Sequence, residues 1–93
     1  MSSEYDPSDL QAATQRALAV KQAYEQELLS KPNVVGVGVG FRQVGGQPTN
    51  TVSVVVLVKH KLPESQLSPE DRIPAQIENI PIDIQEVGEI TAF

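Results

Sequence analysis

The segment NVVGVGVGFR, residues 33–42, alternates large apolar residues with glycine. This period-two pattern is typical of a β-strand, because successive side chains of a strand point to opposite faces. The predicted apolar face carries Val35, Val37, Val39 and Phe41. The opposite face carries Gly36, Gly38 and Gly40. Glycine inside a strand lowers stability by about 0.5–1 kcal/mol relative to alanine. Three glycines on one face therefore indicate that another group approaches the backbone closely.

The same pattern predicts a three-stranded sheet. A first strand over 34–44 is followed by the loop GGQPTN, residues 45–50, which is longer than the two-residue minimum of a hairpin. Further strands are predicted over 51–62, which is rich in β-branched residues, and over 80–87, after a turn at Glu78 and Asn79. One face then carries large apolar side chains: Val35, Val37, Val39, Phe41, Val52, Val54, Val56, Val58, Ile80, Ile82 and Ile84. The other carries Gly36, Gly38, Gly40, Ser53, Val55, Leu57, Asp83 and Gln85.

A helix over residues 7–29 is the only predicted element able to cover the apolar face. Its apolar positions recur at three- and four-residue steps: Leu10, Ala13, Ala17, Val20, Tyr24 and Leu28. Ser68 and Pro69 begin a second helix that Pro74 limits to about one turn. The predicted fold is α+β in two layers: one long N-terminal helix packed on a three- to four-stranded, mainly antiparallel sheet, with a one-turn helix before the last strand.

Length and charge limit the organisation and the partners. The 93 residues predict a single domain over 1–93, with a disordered tail at 1–6, the helix at 7–29, a β-rich part at 33–88 and a tail at 89–93. A net charge of −5 without a basic cluster argues against a nucleic-acid partner. The polar N-terminus and the short apolar runs predict a soluble, cytoplasmic protein with no membrane partner. The absence of cysteine excludes disulfides and thiolate metal sites.

Motifs of known chemistry are weak in this chain. GVGVG lacks the G-x-G-x-x-G spacing of a dinucleotide-binding turn, and no P-loop lysine follows it. Ser53, His60 and Asp83 provide the residue types of a nucleophilic triad, but no G-x-S-x-G elbow surrounds Ser53. A single histidine with scattered carboxylates does not make a metal ligand set. We therefore expect no enzyme activity, no cofactor and no metal.

Three segments carry a family resemblance: VVGVGVG, KHKLPESQL after the second strand, and RIPAQIENIPIDIQEVG. Together they make residues 32–88 resemble the segment that precedes the protease domain in bacterial trypsin-like peptidases and their plant relatives of the NARROW LEAF type. The resemblance implies an accessory role without catalytic activity, because the catalytic residues of such proteins belong to the peptidase. Those proteins continue through a linker into the peptidase where this chain stops at Phe93, so we expect a stand-alone accessory domain.

Two functions follow as hypotheses. The first is a non-enzymatic interaction module that binds itself or a protein partner through its glycine face or a sheet edge. The residues predicted to form this surface are Gly36, Gly38, Gly40, Val55 and Leu57. The second is a small-ligand-binding regulatory domain, in which the same face forms a shallow pocket beside Asp83 and Gln85.

Overall fold

One helix packs on a four-stranded sheet in a computed structural model that describes residues 7–88. The elements are α1 (Pro7–Leu29), β1 (Val34–Val44), β2 (Gln47–Val58), β3 (Gln76–Ile77) and β4 (Ile80–Glu86). Two single 3-10 turns, Glu64–Gln66 and Pro69–Asp71, lie between β2 and β3. The predicted α+β architecture, the long helix and the one-turn helix at Pro69 are thus confirmed. The tails predicted at 1–6 and 89–93 lie outside the described residues.

The helix buries the predicted stripe. Ala17, Val20 and Leu28 are buried, while Leu10, Ala13 and Tyr24 are half-buried. Side chains three and four positions apart lie above one another on a helix, so these residues form one continuous contact surface. That surface packs on β1 and β2 and supplies the second layer that a single sheet needs to bury its apolar face.

The sheet has the order β1-β2-β4-β3 and is mixed. The outer pairs β1–β2 and β3–β4 are antiparallel, but the central pair β2–β4 is parallel, with Val54 opposite Ile82 and Val56 opposite Ile84. The prediction of a mainly antiparallel sheet is therefore wrong at its centre. Residues 59–79 connect β2 to β4 and exceed the dozen or so residues that a parallel connection requires. The alternation of apolar residues in the sequence does not distinguish a parallel from an antiparallel strand pair.

A β-bulge changes which valine of β1 faces the helix. Val34 pairs with Val58 and Gly36 with Leu57, so Val35 is an extra residue in β1. Val34, which is 7 % exposed, joins the core in place of Val35. Phe41, next to a second register shift, is 45 % exposed and also departs from the predicted core. The other predicted apolar residues of the sheet are all buried or packed against the buried core.

The hairpin between β1 and β2 is tighter than predicted. Gly45 and Gly46 have φ angles of 59° and 80° and form a two-residue turn, so the predicted loop over 45–50 is wrong. The second strand begins at Gln47 and ends at Val58, instead of spanning 51–62. Pro48 is tolerated in this strand because β4 pairs only with residues 54–58 of β2, so the other side of Pro48 has no ladder partner within residues 7–88.

Candidate functional site

The sheet surface opposite the helix brings the five predicted site residues together. In successive cross-strand pairs, Gly36 lies opposite Leu57, Gly38 opposite Val55, and Gly40 opposite Ser53. Across the parallel pair, Val55 neighbours Asp83 and Leu57 neighbours Gln85. We call this surface the back face and define it by Gly36, Gly38, Gly40, Ser53, Val55, Leu57, Asp83 and Gln85.

The three glycines differ in the space around them, and only Gly36 makes room for a side chain of β2. A Cβ atom at Gly36 would lie 3.2 Å from Cδ1 of Leu57, and one at Gly40 would lie 3.5 Å from Cγ2 of Val55. A Cβ atom at Gly38 would meet no atom of the described chain within 4 Å. The close approach inferred from the sequence therefore has an intramolecular cause at Gly36, where the contact is tight. At Gly38 the surface is open.

The polar members of the back face are engaged in hydrogen bonds. Ser53 is fully buried, and its hydroxyl donates to the Gly40 carbonyl oxygen over 3.1 Å. Oδ2 of Asp83 accepts from the Gln43 backbone N–H and from Nε2 of Gln85, both over 3.0 Å. The Gln43 contact joins β1 to β4 across the intervening strand. The Asp83 carboxylate thus links β1 to β4 through hydrogen bonds. Because Asp83 and Gln85 already bond to groups of the chain, this geometry does not support the shallow ligand pocket hypothesised beside them.

Ser53, His60 and Asp83 are not assembled as a catalytic group. Ser53 and Val58 are five residues apart on β2, which corresponds to about 17 Å at roughly 3.3–3.4 Å per residue. His60 lies two residues beyond that strand end, where its backbone N–H donates to Oδ1 of Asn33 over 3.2 Å. The Ser53 hydroxyl is directed to a carbonyl oxygen, so neither proton transfer nor nucleophilic attack between these side chains follows from their positions.

The outer edge of β1 borders the back face. β1 occupies one end of the sheet order, and no strand within residues 7–88 pairs with its outer edge. The strand is 11 residues long and contains no charged residue before Arg42. Edge strands of this length normally carry prolines, bulges or charges that prevent pairing with another chain. Here the register shifts lie at Val35, near the start, and after Phe41, and residues 36–41 between them continue in regular register. We call this side of β1 the open edge.

The opposite edge of the sheet differs. β3 contains two residues, Gln76 and Ile77, and its turn into β4 is attached to the helix. Oη of Tyr24 donates to Oε2 of Glu78 over 3.1 Å. This hydrogen bond and the charge of the Glu78 carboxylate hold the pKa of Tyr24 above its ordinary value. β3 itself therefore offers only two residues of strand backbone for pairing, and it covers only residues 80–81 of β4.

A cavity of about 380 Å³ lies at the other end of the molecule from the hairpin turn, where the segment after α1, the start of β1, the end of β2, β4 and the 3-10 turns meet. Its lining includes three basic residues, Lys31, Lys61 and Arg72. Sequence reasoning missed this site because the residues are separated along the chain. The only local signal was the KHK at residues 59–61, which was too short to indicate a basic patch.

Two further features bear on classes of function. Within residues 7–88, no group of three histidine, cysteine, aspartate or glutamate side chains has the arrangement of a metal site. In the same part of the chain, no helix combines the length and the apolar character needed to cross a bilayer.

A comparison with protein families identifies the relationship of the chain. Residues 10–85, well over half of its length, match the family described as NARROW LEAF 1 N-terminal domain. A search of curated proteins found no match. The match spans most of the helix and nearly all of the sheet, including the open edge and the back face. The chain therefore belongs to the NARROW LEAF 1 N-terminal domain family.

Proposed function

We propose that this domain is a non-enzymatic interaction module that associates with a second copy of itself through the open edge of β1 and the adjoining back face. The observation that carries the proposal is the open edge: an 11-residue outer strand, uncharged from Val34 to Phe41, with no partner strand among residues 7–88. Such an edge presents a row of backbone donors and acceptors that a second strand satisfies.

Antiparallel pairing of two β1 strands about a two-fold axis at Gly38 gives the simplest arrangement. Residue 35 of one copy then lies opposite residue 41 of the other, and the central seven residues carry no charge. Like charges directly opposite each other in a sheet are destabilising, so this register avoids repulsion between chains that each carry a net charge of −5. The pairing extends two four-stranded sheets into one and uses the same surface on both copies.

Gly38 suits the centre of that contact. Nothing in the described chain lies within 4 Å of the position its Cβ would occupy. A partner can therefore approach the backbone on the back face at this point. Val55, directly opposite Gly38 on β2, and Leu57 leave half-buried apolar surface next to this contact.

Family membership supports an accessory role, because the family is an N-terminal domain family. We extend the proposal to association with a trypsin-like peptidase in a bacterial cytoplasm, as the sequence resemblance implies. On this proposal the domain contributes assembly and positioning, and the chemistry belongs to the peptidase. Incubation of the domain with fluorogenic peptides should accordingly give rates equal to those of buffer.

Sedimentation velocity over a range of protein concentrations tests self-association. The wild type should shift from monomer to dimer as concentration rises. Gly38→Lys should remain monomeric, because a lysine on the open edge places like charges close together at the two-fold axis and blocks close approach. Gln22→Lys adds the same charge on an exposed helix position and should dimerise like the wild type.

Thermal unfolding of all three proteins checks that the variants are folded. A wild type that sediments as a monomer at every concentration would contradict the proposal. So would a folded Gly38→Lys variant that dimerises as tightly as Gln22→Lys.

A further inference from the structure

We propose that the cavity lined by Lys31, Lys61 and Arg72 binds a small organic anion with an apolar body, such as a carboxylate attached to a short aliphatic or aromatic group. This site is separate from the open edge of β1 and does not depend on self-association. The argument rests on the construction of the cavity, its charge and its apolar lining.

The walls of the cavity are held in place by backbone and amide hydrogen bonds. The side chain of Asn33 donates through Nδ2 to the His60 carbonyl oxygen and accepts through Oδ1 from the His60 N–H. The Asn33 carbonyl oxygen accepts from the Lys59 N–H over 2.9 Å. These contacts fix the segment after β2 against the segment before β1. A pre-formed cavity reduces the ordering cost that a ligand must overcome on binding.

The charge around the cavity is opposite to that of the whole chain. Three of the seven lysine and arginine residues line it, in a protein with a net charge of −5. Among the described residues, none of the three forms an ion pair with a carboxylate. Asp71 is the one acidic residue in the lining, and its Oδ2 already accepts from the Ser68 hydroxyl over 2.8 Å. The local field therefore favours an anion.

The hydrogen bonds of the cations leave capacity for a ligand. Nζ of Lys31 donates to the Glu70 carbonyl oxygen, and Nε of Arg72 donates to the Leu67 carbonyl oxygen over 3.3 Å. An arginine side chain has five N–H donors and a lysine has three, so these single contacts do not saturate either group. The Arg72 guanidinium has the planar shape that pairs with a carboxylate through two parallel hydrogen bonds.

The remaining lining selects an amphipathic ligand over a simple ion. Val34 and Val58, which are both buried, and the half-buried Ile73 and Ile84 contribute apolar surface. The volume of about 380 Å³ falls within the roughly 300–1,000 Å³ typical of small-molecule sites. Apolar walls gain nothing from a fully hydrated inorganic anion, whereas they stabilise a hydrocarbon body. The combination therefore favours one carboxylate joined to a compact apolar group.

Octanoate is a suitable probe, with octanol and acetate as matched compounds that lack the charge and the apolar tail respectively. We expect octanoate to cause saturable shifts in the amide NMR signals of residues that line the cavity, including Val34 and Val58. The double variant Lys61→Gln and Arg72→Gln should raise the Kd for octanoate by about tenfold or more. Arg42→Gln removes a cation from the opposite, hairpin end of the sheet and should change the Kd by less than about twofold.

Lys61→Gln alone provides a second variant, because within residues 7–88 the one hydrogen bond of Lys61 is made by its backbone N–H, to Oε1 of Glu86. It should weaken octanoate binding measurably while the melting temperature stays near that of the wild type. The proposal is overturned if octanoate gives no saturable shifts at these residues, or if octanol or acetate binds as tightly. It is also overturned if Arg42→Gln weakens binding as much as the cavity variants do.

Discussion

The two edges of the sheet are built in opposite ways. The edge formed by β3 is two residues long, follows Pro74 closely and is joined to the helix through Tyr24 and Glu78. The edge formed by β1 is 11 residues long and uncharged over its first eight residues. A short edge attached to its neighbours offers little backbone for pairing, whereas a long and apolar one is a template for another strand.

This difference indicates which edge of the sheet is available for pairing with a strand of another chain. A two-residue turn connects each edge strand to its neighbour: Gly45–Gly46 connects β1 to β2, and Glu78–Asn79 connects β3 to β4. Between these turns, the helix packs on the apolar face of β2 and β4. On the back face, a Cβ atom at Gly36 would lie 3.2 Å from Leu57, whereas one at Gly38 would meet no atom of the described chain within 4 Å. Gly38 therefore marks an open position of the back face.

The largest expected effect is on the free energy of unfolding, and it differs between the helix-facing side of β2 and its back face. Val56→Ala removes two methyl groups from a fully buried core position and should lower the free energy of unfolding by about 2 kcal/mol. Val55→Ala, one residue away on the half-buried back face, should cost less than half of that. Urea unfolding at low protein concentration measures both values. Equal losses would mean that the back face is packed as tightly as the core.

A smaller effect on stability is expected at the turns that connect the two edge strands to their neighbours. Gly45 has a φ of 59°, so Gly45→Ala should lower the free energy of unfolding by about 1 kcal/mol. Asn79 has a φ of 68°, which asparagine tolerates, so Asn79→Gly should change stability by about 0.5 kcal/mol or less. Thermal unfolding compares the variants. A Gly45→Ala protein as stable as the wild type would show that the tight hairpin turn does not constrain the β1 edge.

The smallest effect concerns the link between the β3 edge and the helix. The pKa of Tyr24 is raised in the folded state by the hydrogen bond and the charge of Glu78. A group with a raised folded pKa stabilises the protein below its ordinary pKa, which is about 10 for tyrosine, and loses that contribution as pH rises through the folded pKa.

Tyr24→Phe should therefore reduce stability slightly near neutral pH, and the difference from wild type should shrink above about pH 10. Unfolding curves across this pH range test the expectation. Glu78→Gln keeps a side-chain acceptor but removes the charge, so it should bring the Tyr24 pKa, followed by ultraviolet absorbance, towards its ordinary value. An unchanged Tyr24 pKa in this variant would show that the link is not formed in solution.

Much of this fold was predictable from local patterns. The helix, with its bounds at residues 7 and 29, followed from the spacing of Ala17, Val20 and Leu28, and the β1 bounds followed from strict alternation. The turn at Glu78 and Asn79 was also correct. These features depend on interactions between residues that are close in sequence, so a single chain suffices to predict them.

The remaining features depend on long-range contacts. The parallel direction of β4 follows from how residues 59–79 return along the sheet, and the replacement of Val35 by Val34 follows from one extra residue in β1. Leu57 explains the glycine at position 36 only because the register places it opposite that residue. The alternation of side chains along each strand was enough to place the five residues of the candidate surface on one face. The open edge could be identified only from the order of the strands in the sheet.

Amide hydrogen exchange along β1 at low and high protein concentration tests self-association through the open edge most directly. The account predicts that protection of some amides in residues 35–41 increases with concentration, as the open edge of one copy pairs with that of another. Amides of residues 54–58 in β2, which pair with β1 on one side and with β4 on the other within each copy, should exchange at the same rate throughout. Protection in β1 that does not depend on concentration, in a folded protein, would contradict the account.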